Sequence, residues 1–298
     1  LRDAEVAAES RALLDKLLQI DADTITDYAE KNLLFSAISN IYLMHDEIDH
    51  AIAFQERTIR LMESVDLRAL NKVLSYVAAL YNLASLMIQA RVPGGVRKVM
   101  ATIRHLEAQT EHEKKFINAV LCFLRSVLLR FEHTNIFAEE EYHAIAADLG
   151  AEMVIPTLYH DTYFALLVYA LQHAQYREAL DRAYFLLHSP YAHSQVSMQV
   201  HVRLLHILIH YRMQHTLLLP SLIRQTYRYM RKQELKYAVE KSILYFFGSL
   251  LHRVDKEDMR RQFKKLHSEL EMIAQEPGEM RVLHMYFNYL DWLEAEMQ

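Results

Sequence analysis

The residues with the clearest potential for chemistry are four polar side chains spaced three or four apart between positions 199 and 210. Gln199, Arg203, His206 and His210 fall on one face of a predicted helix, because residues i, i+3 and i+4 are neighbours on a helix surface. The two histidines could supply two zinc ligands, but a stable site needs a third and a fourth, and Arg203 opposes a cation. The spacing therefore favours polar contacts to a partner, with a solvated helix face as the alternative, and it predicts no metal site.

A second group is a basic stripe formed by Arg224, Arg228 and Arg231 at i, i+4 and i+7, with tyrosines between them. Guanidinium groups bind carboxylates and phosphates through paired N–H donors, so the stripe is a candidate anion-binding surface. Basic residues interleaved with aromatic ones can also follow a nucleic-acid backbone, which is the less favoured anionic partner. The alternative is a solvated face paired with Glu234 or Glu240.

A third group consists of His45, Asp46, Asp49 and His50 at a predicted turn between helices. Asp46 stands where a helix needs an N-cap, and that local role is sufficient to explain it. A weak surface metal contact is the alternative. We expect no resident metal and no cofactor.

Sequence signatures of enzymes are missing. Gly94-Gly95 is not followed by the Lys-Ser/Thr of a phosphate-binding loop, and no Gly-x-Ser-x-Gly motif occurs. Cys122 lies in an apolar run, where a thiol is poorly reactive. We therefore expect no enzymatic activity; an enzyme with an unrecognised site is a third alternative.

Composition points to an all-helical chain. Of 298 residues, 52% are apolar and only 5 are glycine and 5 proline, which leaves little material for the turns that sheets need. One cysteine excludes a disulfide framework and favours a reducing, cytoplasmic setting. No apolar run approaches the roughly 18 residues of a membrane span, and there is no signal peptide. The chain begins at Leu1 within a predicted helix, so we expect a fragment of a longer protein.

Charge is distributed unevenly along the chain. Residues 1–66 contain fourteen acidic and six basic residues, whereas residues 221–267 contain five acidic and twelve basic ones. Such an asymmetry can steer a charged partner toward one end of a molecule. The alternative is that these charges are ordinary solvated helix faces.

The elements that position these residues are pairs of amphipathic helices. Residues 160–193, HDTYFALLVYALQHAQYREALDRAYFLLHSPYAH, form two helices facing each other across the turn at residues 173–175. Small Ala179 lies where they approach closely, and Pro190 ends the unit. Residues 32–65 form a similar pair, with Ser39 and Ala51 at the small positions.

This 34-residue helix–turn–helix resembles a tetratricopeptide (TPR) repeat, and the rest of the chain resembles further, more divergent copies. The last segments, including YFNYLDWLEAEM, are also similar to uncharacterised TPR-like proteins of Bacteroidetes bacteria. The resemblance implies a right-handed superhelical array of antiparallel helix pairs, an α-solenoid of about 13 helices. We expect one domain over 1–298: a partial leading repeat at 1–26, helix pairs over 27–275, and a capping helix at 278–298 whose glutamates stay in water.

The resemblance also implies a function. TPR arrays present the first helix of each pair on a concave surface that accepts a peptide, which places Asn40, Asp161, Phe164 and Val168 in the groove by analogy. The Lys/Asn carboxylate clamp of chaperone-binding TPR domains is absent apart from Asn40. We therefore expect a protein- or peptide-interaction module, with Gln199, Arg203, His206 and His210 as further groove contacts. The second hypothesis is a regulatory or sensor protein whose basic stripe binds an anionic ligand or nucleic acid.

Overall fold

A computed structural model describes residues 2–131, 138–148, 156–190, 192, 195–234, 238–250, 256–276, 279, 283 and 287–297. These residues form fourteen α-helices and contain no strand, which confirms the prediction of an all-α chain. The helices are α1 Arg2–Leu18, α2 Tyr28–Met44, α3 Ile48–Glu63, α4 Val73–Gln89, α5 Pro93–Arg104, α6 Glu111–Phe131, α7 Ala138–Asp148, α8 Pro156–Gln172, α9 Tyr176–His188, α10 Val196–Arg212, α11 Leu219–Lys232, α12 Ala238–Ser249, α13 Lys256–Ile273 and α14 Tyr289–Met297.

The chain divides into two compact units, residues 1–159 and 160–298, and the boundary falls within α8. In the N-terminal unit each helix from α1 to α7 packs on the next one, and α4 also packs on α6. In the C-terminal unit consecutive packing runs from α9 to α14, and α10 also packs on α12. Packing of each helix on its sequence neighbours is the pattern expected of a helical repeat array. A single domain over the whole chain stays a prediction.

Four turns between paired helices share one backbone geometry and use no glycine. The residue at each turn has a positive φ: Asp46 61°, Arg91 56°, Ala174 57° and Gln214 59°. The next amide donates to a carbonyl five residues earlier at 2.8–3.0 Å, which satisfies an otherwise unpaired helix-end carbonyl. A left-handed conformation costs a non-glycine residue about 1–2 kcal/mol. The recurrence of this geometry between α2 and α3, α4 and α5, α8 and α9, and α10 and α11 is consistent with a common helix-pair unit.

Several predicted boundaries are corrected by the structure. Asp46 is not an N-cap: it occupies the left-handed turn position, and the N-cap position of α3 falls one residue later without a side-chain cap. The sequence predicts a strong break between helices at 91–95, but Pro93 already begins α5, so this break is only a short turn. Helix α4 starts at Val73 because Asp66 holds the preceding turn by accepting two backbone N–H groups. The sequence also predicts helix ends at Gly150 and at Pro277-Gly278, and these residues lie outside the described part of the chain.

Small residues lie where neighbouring helices cross, as the sequence predicts. Ser39 on α2 and Ala51 on α3 are buried, and the Ser39 hydroxyl donates to the Ala51 carbonyl oxygen at 2.9 Å. In α9, Ala179 and Ala183 have no exposed surface. A larger side chain at any of these positions would force the helices apart.

The last helix is shorter than the predicted capping helix over 278–298, because two non-helical residues precede α14 at Tyr289. Its Trp292 packs against phenylalanines of α12 and α13, which covers their apolar surface. Glu296 was expected to stay in water, but it accepts the Trp292 indole N–H at 2.7 Å and pairs with Arg212 of α10. The prediction of a solvated Glu296 is therefore wrong.

Candidate functional site: a polar row on helix α10

Helix α10 is enclosed on most sides by neighbouring helices. It packs on α9, α11 and α12, and the majority of its residues are buried. Arg203 and His206 remain partly exposed, while His210 on the same face is nearly buried. We call Arg203, His206 and His210 the α10 polar row. A polar row on an otherwise core helix is desolvated without being sealed, and that environment sets its chemistry.

Arg203 is the charged member of the row. Its guanidinium carbon lies 4.3 Å from the centroid of the Tyr229 ring on α11, a cation–π contact. Its Nε is sealed from water and has no hydrogen-bond acceptor, and within the described residues no carboxylate lies at ion-pair distance. Burial lowers the pKa of Arg203, which Tyr229 partly opposes. The two terminal nitrogens are not sealed in this way, so they are the accessible donors of a guanidinium that lacks a counter-ion.

The histidines of the row form a continuous chain of ring contacts. His206 Nε2 lies 3.1 Å from His210 Nε2, and His210 Nδ1 lies 2.9 Å from Nδ1 of His215, in the turn after α10. A neutral imidazole has one N–H, so His210 can donate through one nitrogen only while accepting through the other. Both contacts are therefore hydrogen bonds only when all donors point along the chain in the same direction.

The row keeps its imidazoles neutral at pH 7. The pKa of His206 falls to about 4, chiefly through burial and then through the charges on His210, Arg203 and His188. Burial also lowers the pKa of His210, with a further contribution from His215. Desolvation and the nearby guanidinium both disfavour a proton on these rings, while the guanidinium attracts an anion.

The structure corrects three of the predicted groove contacts. Phe164 and Val168 on α8 are each 2% exposed and belong to the core. Gln199 is equally buried, and its side-chain amide donates to the Leu186 carbonyl oxygen of α9 at 2.8 Å. These residues stabilise helix packing instead of offering a surface to a partner.

Two further predicted contacts are accessible. Asp161 on α8 is half-buried and accepts a hydrogen bond from the Gln195 side chain at 3.3 Å. Asn40 is exposed on α2, in the N-terminal unit. Of the predicted contacts in the C-terminal unit, only Arg203, His206 and His210 are brought together as one contiguous group.

The basic stripe lies on the exposed face of α11. Arg224, Arg228 and Arg231 are all exposed, and none of them has an ion pair within the described part of the chain. The alternative pairing with Glu240 is wrong, because that carboxylate is fully buried with Oε1 3.3 Å from Nε2 of the equally buried His201. The stripe is thus a set of solvated cations, available to an anion.

A small cavity in the N-terminal unit was not predicted from the sequence. Its volume is about 190 Å³, and it is lined by Arg104, Asn118, Leu121, Cys122, Arg125 and Asp148. The guanidinium of Arg125 on α6 is neutralised by two carboxylates of α7, Asp148 at 2.7 Å and Glu141. Burial raises the pKa of the Cys122 thiol to about 11, so this thiol is a poor nucleophile at neutral pH.

Sequence reasoning also missed three residues that shape the row. Tyr229 was noted only as an aromatic residue between arginines, and His215 lies beyond the end of α10, outside its helical spacing. His188 comes from the end of α9, and no local pattern links it to His206. Aromatic and titratable residues in the neighbouring predicted helices and turns are the sequence signal that could have pointed to them.

Metal binding finds no support among the described residues, where no three His, Cys, Asp or Glu side chains are grouped so that they could hold an ion. At the turn after α2, His45 Nε2 lies 3.0 Å from the Ser10 hydroxyl, and His50 Nδ1 lies 3.4 Å from a Glu47 carboxylate oxygen. These two rings therefore contact different partners. Across the same described residues, no helix is both long and apolar enough to cross a membrane.

No protein-family model matches this chain, and no curated protein matches it significantly. The resemblance to TPR proteins and to Bacteroidetes TPR-like proteins therefore stays a prediction. Function must be argued from the geometry of the α10 polar row and the basic stripe.

Proposed function

We propose that this chain is a protein-interaction module and that a partner segment docks across the α10 polar row. The observation that carries the proposal is the guanidinium of Arg203, which is half-buried against Tyr229 with a sealed Nε and has no ion pair within the described part of the chain. Leaving a desolvated charge without a counter-ion is costly, and the cost is recovered when a partner supplies an acceptor. The all-α array of paired helices is an architecture that offers extended binding surfaces.

Further features are compatible with this function. Arginine is enriched among residues that dominate binding energy at interfaces, particularly where the surroundings exclude water. The single buried cysteine suits a reducing compartment, so we place the module in the cytoplasm as part of the proposal. Peptide docking on the row needs no catalytic group.

The test is retention of cellular proteins on the purified chain, compared between the native sequence and Arg203→Gln. The matched control is Arg177→Gln, which removes an exposed arginine from α9 in the same unit. We expect one or more retained proteins to be lost with Arg203→Gln and kept with Arg177→Gln, after both variants are shown to be folded by circular dichroism. Identical retention by the two variants would refute docking on the row.

A second candidate function rests on the basic stripe. Three exposed guanidinium groups on one face of α11, none of them paired with a described carboxylate, provide a site for an anionic ligand, including nucleic acid. Such binding weakens steeply with salt, because phosphate contacts release condensed counterions. Docking on the half-buried row is less sensitive to salt, so the two functions differ in a measurable way.

The stripe is tested by titrating a fluorescent single-stranded oligonucleotide and heparin against the native chain and a triple Arg224→Gln, Arg228→Gln, Arg231→Gln variant. If the stripe binds polyanions, affinity falls by about tenfold or more in the variant, and the salt dependence becomes shallower. The matched control is Arg260→Gln with Arg261→Gln, which removes exposed arginines from α13. Equal binding by all three proteins would exclude the stripe.

A further inference from the structure

We propose that the α10 polar row is a carboxylate-binding site in which a histidine of the row takes up a proton when the site is occupied. This inference rests on the proposed function, since it names the chemistry that docks on the row and the way in which pH regulates it. It is carried by the Arg203 guanidinium, which has no ion pair among the described residues, and by three imidazoles in sequential contact, two on the partly open face of α10 and His215 in the turn that follows. The proton comes from solvent and is held by an imidazole nitrogen.

The charge of the row matches a monoanion. With both histidines neutral at pH 7, Arg203 is the single formal charge of the row. The two terminal nitrogens of a guanidinium present parallel N–H donors that fit the two oxygens of a carboxylate. A phosphate dianion would bring an excess negative charge into a desolvated site. The stronger match is therefore a carboxylate, either at the end or on a side chain of a partner or from a free small acid.

Occupation of the site changes the balance of charges around His206. In the unoccupied site, Arg203 from its own helix and His188 from α9 both repel a proton on this ring, and His210 does so from the next turn. Tyr229 on α11 faces Arg203, and His215 contacts His210 from the turn after α10. A bound carboxylate neutralises the guanidinium and attracts the imidazolium, so the repulsion from Arg203 is replaced by an attraction.

The size of the effect follows from linkage between binding and protonation. The pKa of His206 is about 4 in the unoccupied site, and a bound anion that offset burial would restore an ordinary histidine value near 6.5. Binding at pH 5.5 is then about tenfold tighter than at pH 7.5, because the occupied site is protonated and the unoccupied one is not. A carboxylate remains largely ionised at pH 5.5, so the ligand itself does not lose its charge over this range.

The experiment is NMR titration of the full chain labelled with ¹³C and ¹⁵N at histidine, with the His206 signals assigned through His206→Gln. The pKa of His206 is measured in sodium acetate and in sodium chloride at equal ionic strength. We expect acetate to raise this pKa by at least one unit and chloride to leave it unchanged. Arg203→Gln should abolish the acetate effect, whereas Arg177→Gln should preserve it.

A second arm identifies the source of the carboxylate. A random decapeptide pool without Asp or Glu is compared in its free-acid and amidated forms at pH 5.5 and pH 7.5, beside a pool that contains Glu. Binding that requires a free terminus or Glu, and that tightens about tenfold at pH 5.5, identifies a partner's carboxylate. A shift with acetate but no acid-dependent peptide binding identifies a free small carboxylic acid. With His206→Gln, carboxylate binding persists and its pH dependence disappears.

The proposal is overturned if neither acetate nor the acidic peptides move the pKa of His206, or if the shift persists in Arg203→Gln. Inorganic phosphate binding more tightly than acetate at pH 7.5 would also overturn it. These results are separable from the test of the proposed function. If Arg203→Gln loses retained proteins but the pKa of His206 does not shift, docking on the row is supported and the carboxylate-binding proposal is refuted. Proteins retained by Arg203→Gln refute docking, whatever acetate does.

Discussion

Acidification from pH 7 to pH 5 should destabilise the C-terminal unit through His206, and His206→Gln should remove that part of the loss. The folded chain keeps this imidazole neutral because burial and nearby positive groups lower its pKa to about 4. The unfolded chain takes up a proton below about pH 6.5. The unfolded state therefore binds more protons between these values, so stability rises with pH across this window. The contribution of His206 to stability is fully present above pH 6.5 and is lost progressively as the pH falls to about 4.

The magnitude follows from the two pKa values. At pH 5 the unfolded imidazole is almost fully protonated and the folded one almost fully neutral, a difference worth about 2 kcal/mol. Water reaches part of the His206 ring, and solvent screening reduces this to about 1–2 kcal/mol. His210 and His160 have pKa values lowered by burial, so they contribute a loss of the same sign. The variant should therefore remove part of the acid destabilisation and leave the rest.

The assay is urea unfolding followed by tryptophan fluorescence at pH 7 and pH 5. Trp292 is the only tryptophan, and it packs in the C-terminal unit against phenylalanines of α12 and α13, so its emission reports the unit that contains His206. The control is His173→Gln, which alters an exposed histidine of the same unit. We expect the control to lose as much stability as the native chain. The reasoning fails if His206→Gln shows an undiminished loss between pH 7 and pH 5.

Substitutions at three buried or turn positions and chemical labelling of Cys122 test the packing. Ala179→Glu should destabilise the C-terminal unit by about 3 kcal/mol or more, because it forces a charge into a close helix crossing. Ala295→Glu, at an exposed position of α14, should not, and an unchanged melting temperature in Ala179→Glu would contradict the helix pair at 160–193. Glu240→Ala should cost about 3–5 kcal/mol and Glu240→Gln less, since the amide retains polar contact with the buried histidine; equal losses in urea would exclude a polar role. Ala174→Gly should raise the free energy of unfolding by about 0.5–1 kcal/mol through relief of the left-handed turn, which is measured as a higher urea midpoint; a lower midpoint would contradict the positive φ. Cys122 should react with iodoacetamide at pH 8 far more slowly in the folded chain than in urea, and rapid labelling of the folded chain would show that the thiol is open.

The helix pairs could be predicted because their apolar residues repeat every three or four positions, and that spacing does not depend on tertiary structure. The turn residues could not be predicted in the same way. Asp46 and Ala174 adopt a positive φ that glycine normally supplies, and the neighbouring helices impose it against the local preference of each residue. Helix ends were therefore misplaced where a left-handed residue or Pro93 set the boundary.

The burial of two predicted groove contacts could have been expected from the sequence, but the analogy with TPR repeats placed them in the groove. Phe164 and Val168 belong to an uninterrupted apolar run from 164 to 171, and a helix that is apolar all round is buried. Gln199 could not be classified in this way, because a buried glutamine that satisfies a backbone carbonyl has the same local sequence as an exposed one. Burial of polar residues is decided by the neighbouring helix, which spacing along one helix does not describe.

The interaction function and the pH dependence have one physical origin. Because α10 packs on three other helices, its polar row is partly removed from water. This burial lowers the pKa values of both Arg203 and His206, so the guanidinium is poorly solvated and the imidazole stays neutral. Burial is the main reason that the imidazole stays unprotonated, and an anion that compensates the guanidinium removes the part of the repulsion that comes from Arg203. Binding to the row without a rise in the pKa of His206 would mean that the docked group places no carboxylate beside Arg203 and His206. The pKa of His206 in the occupied site therefore reports where the ligand lies on the row.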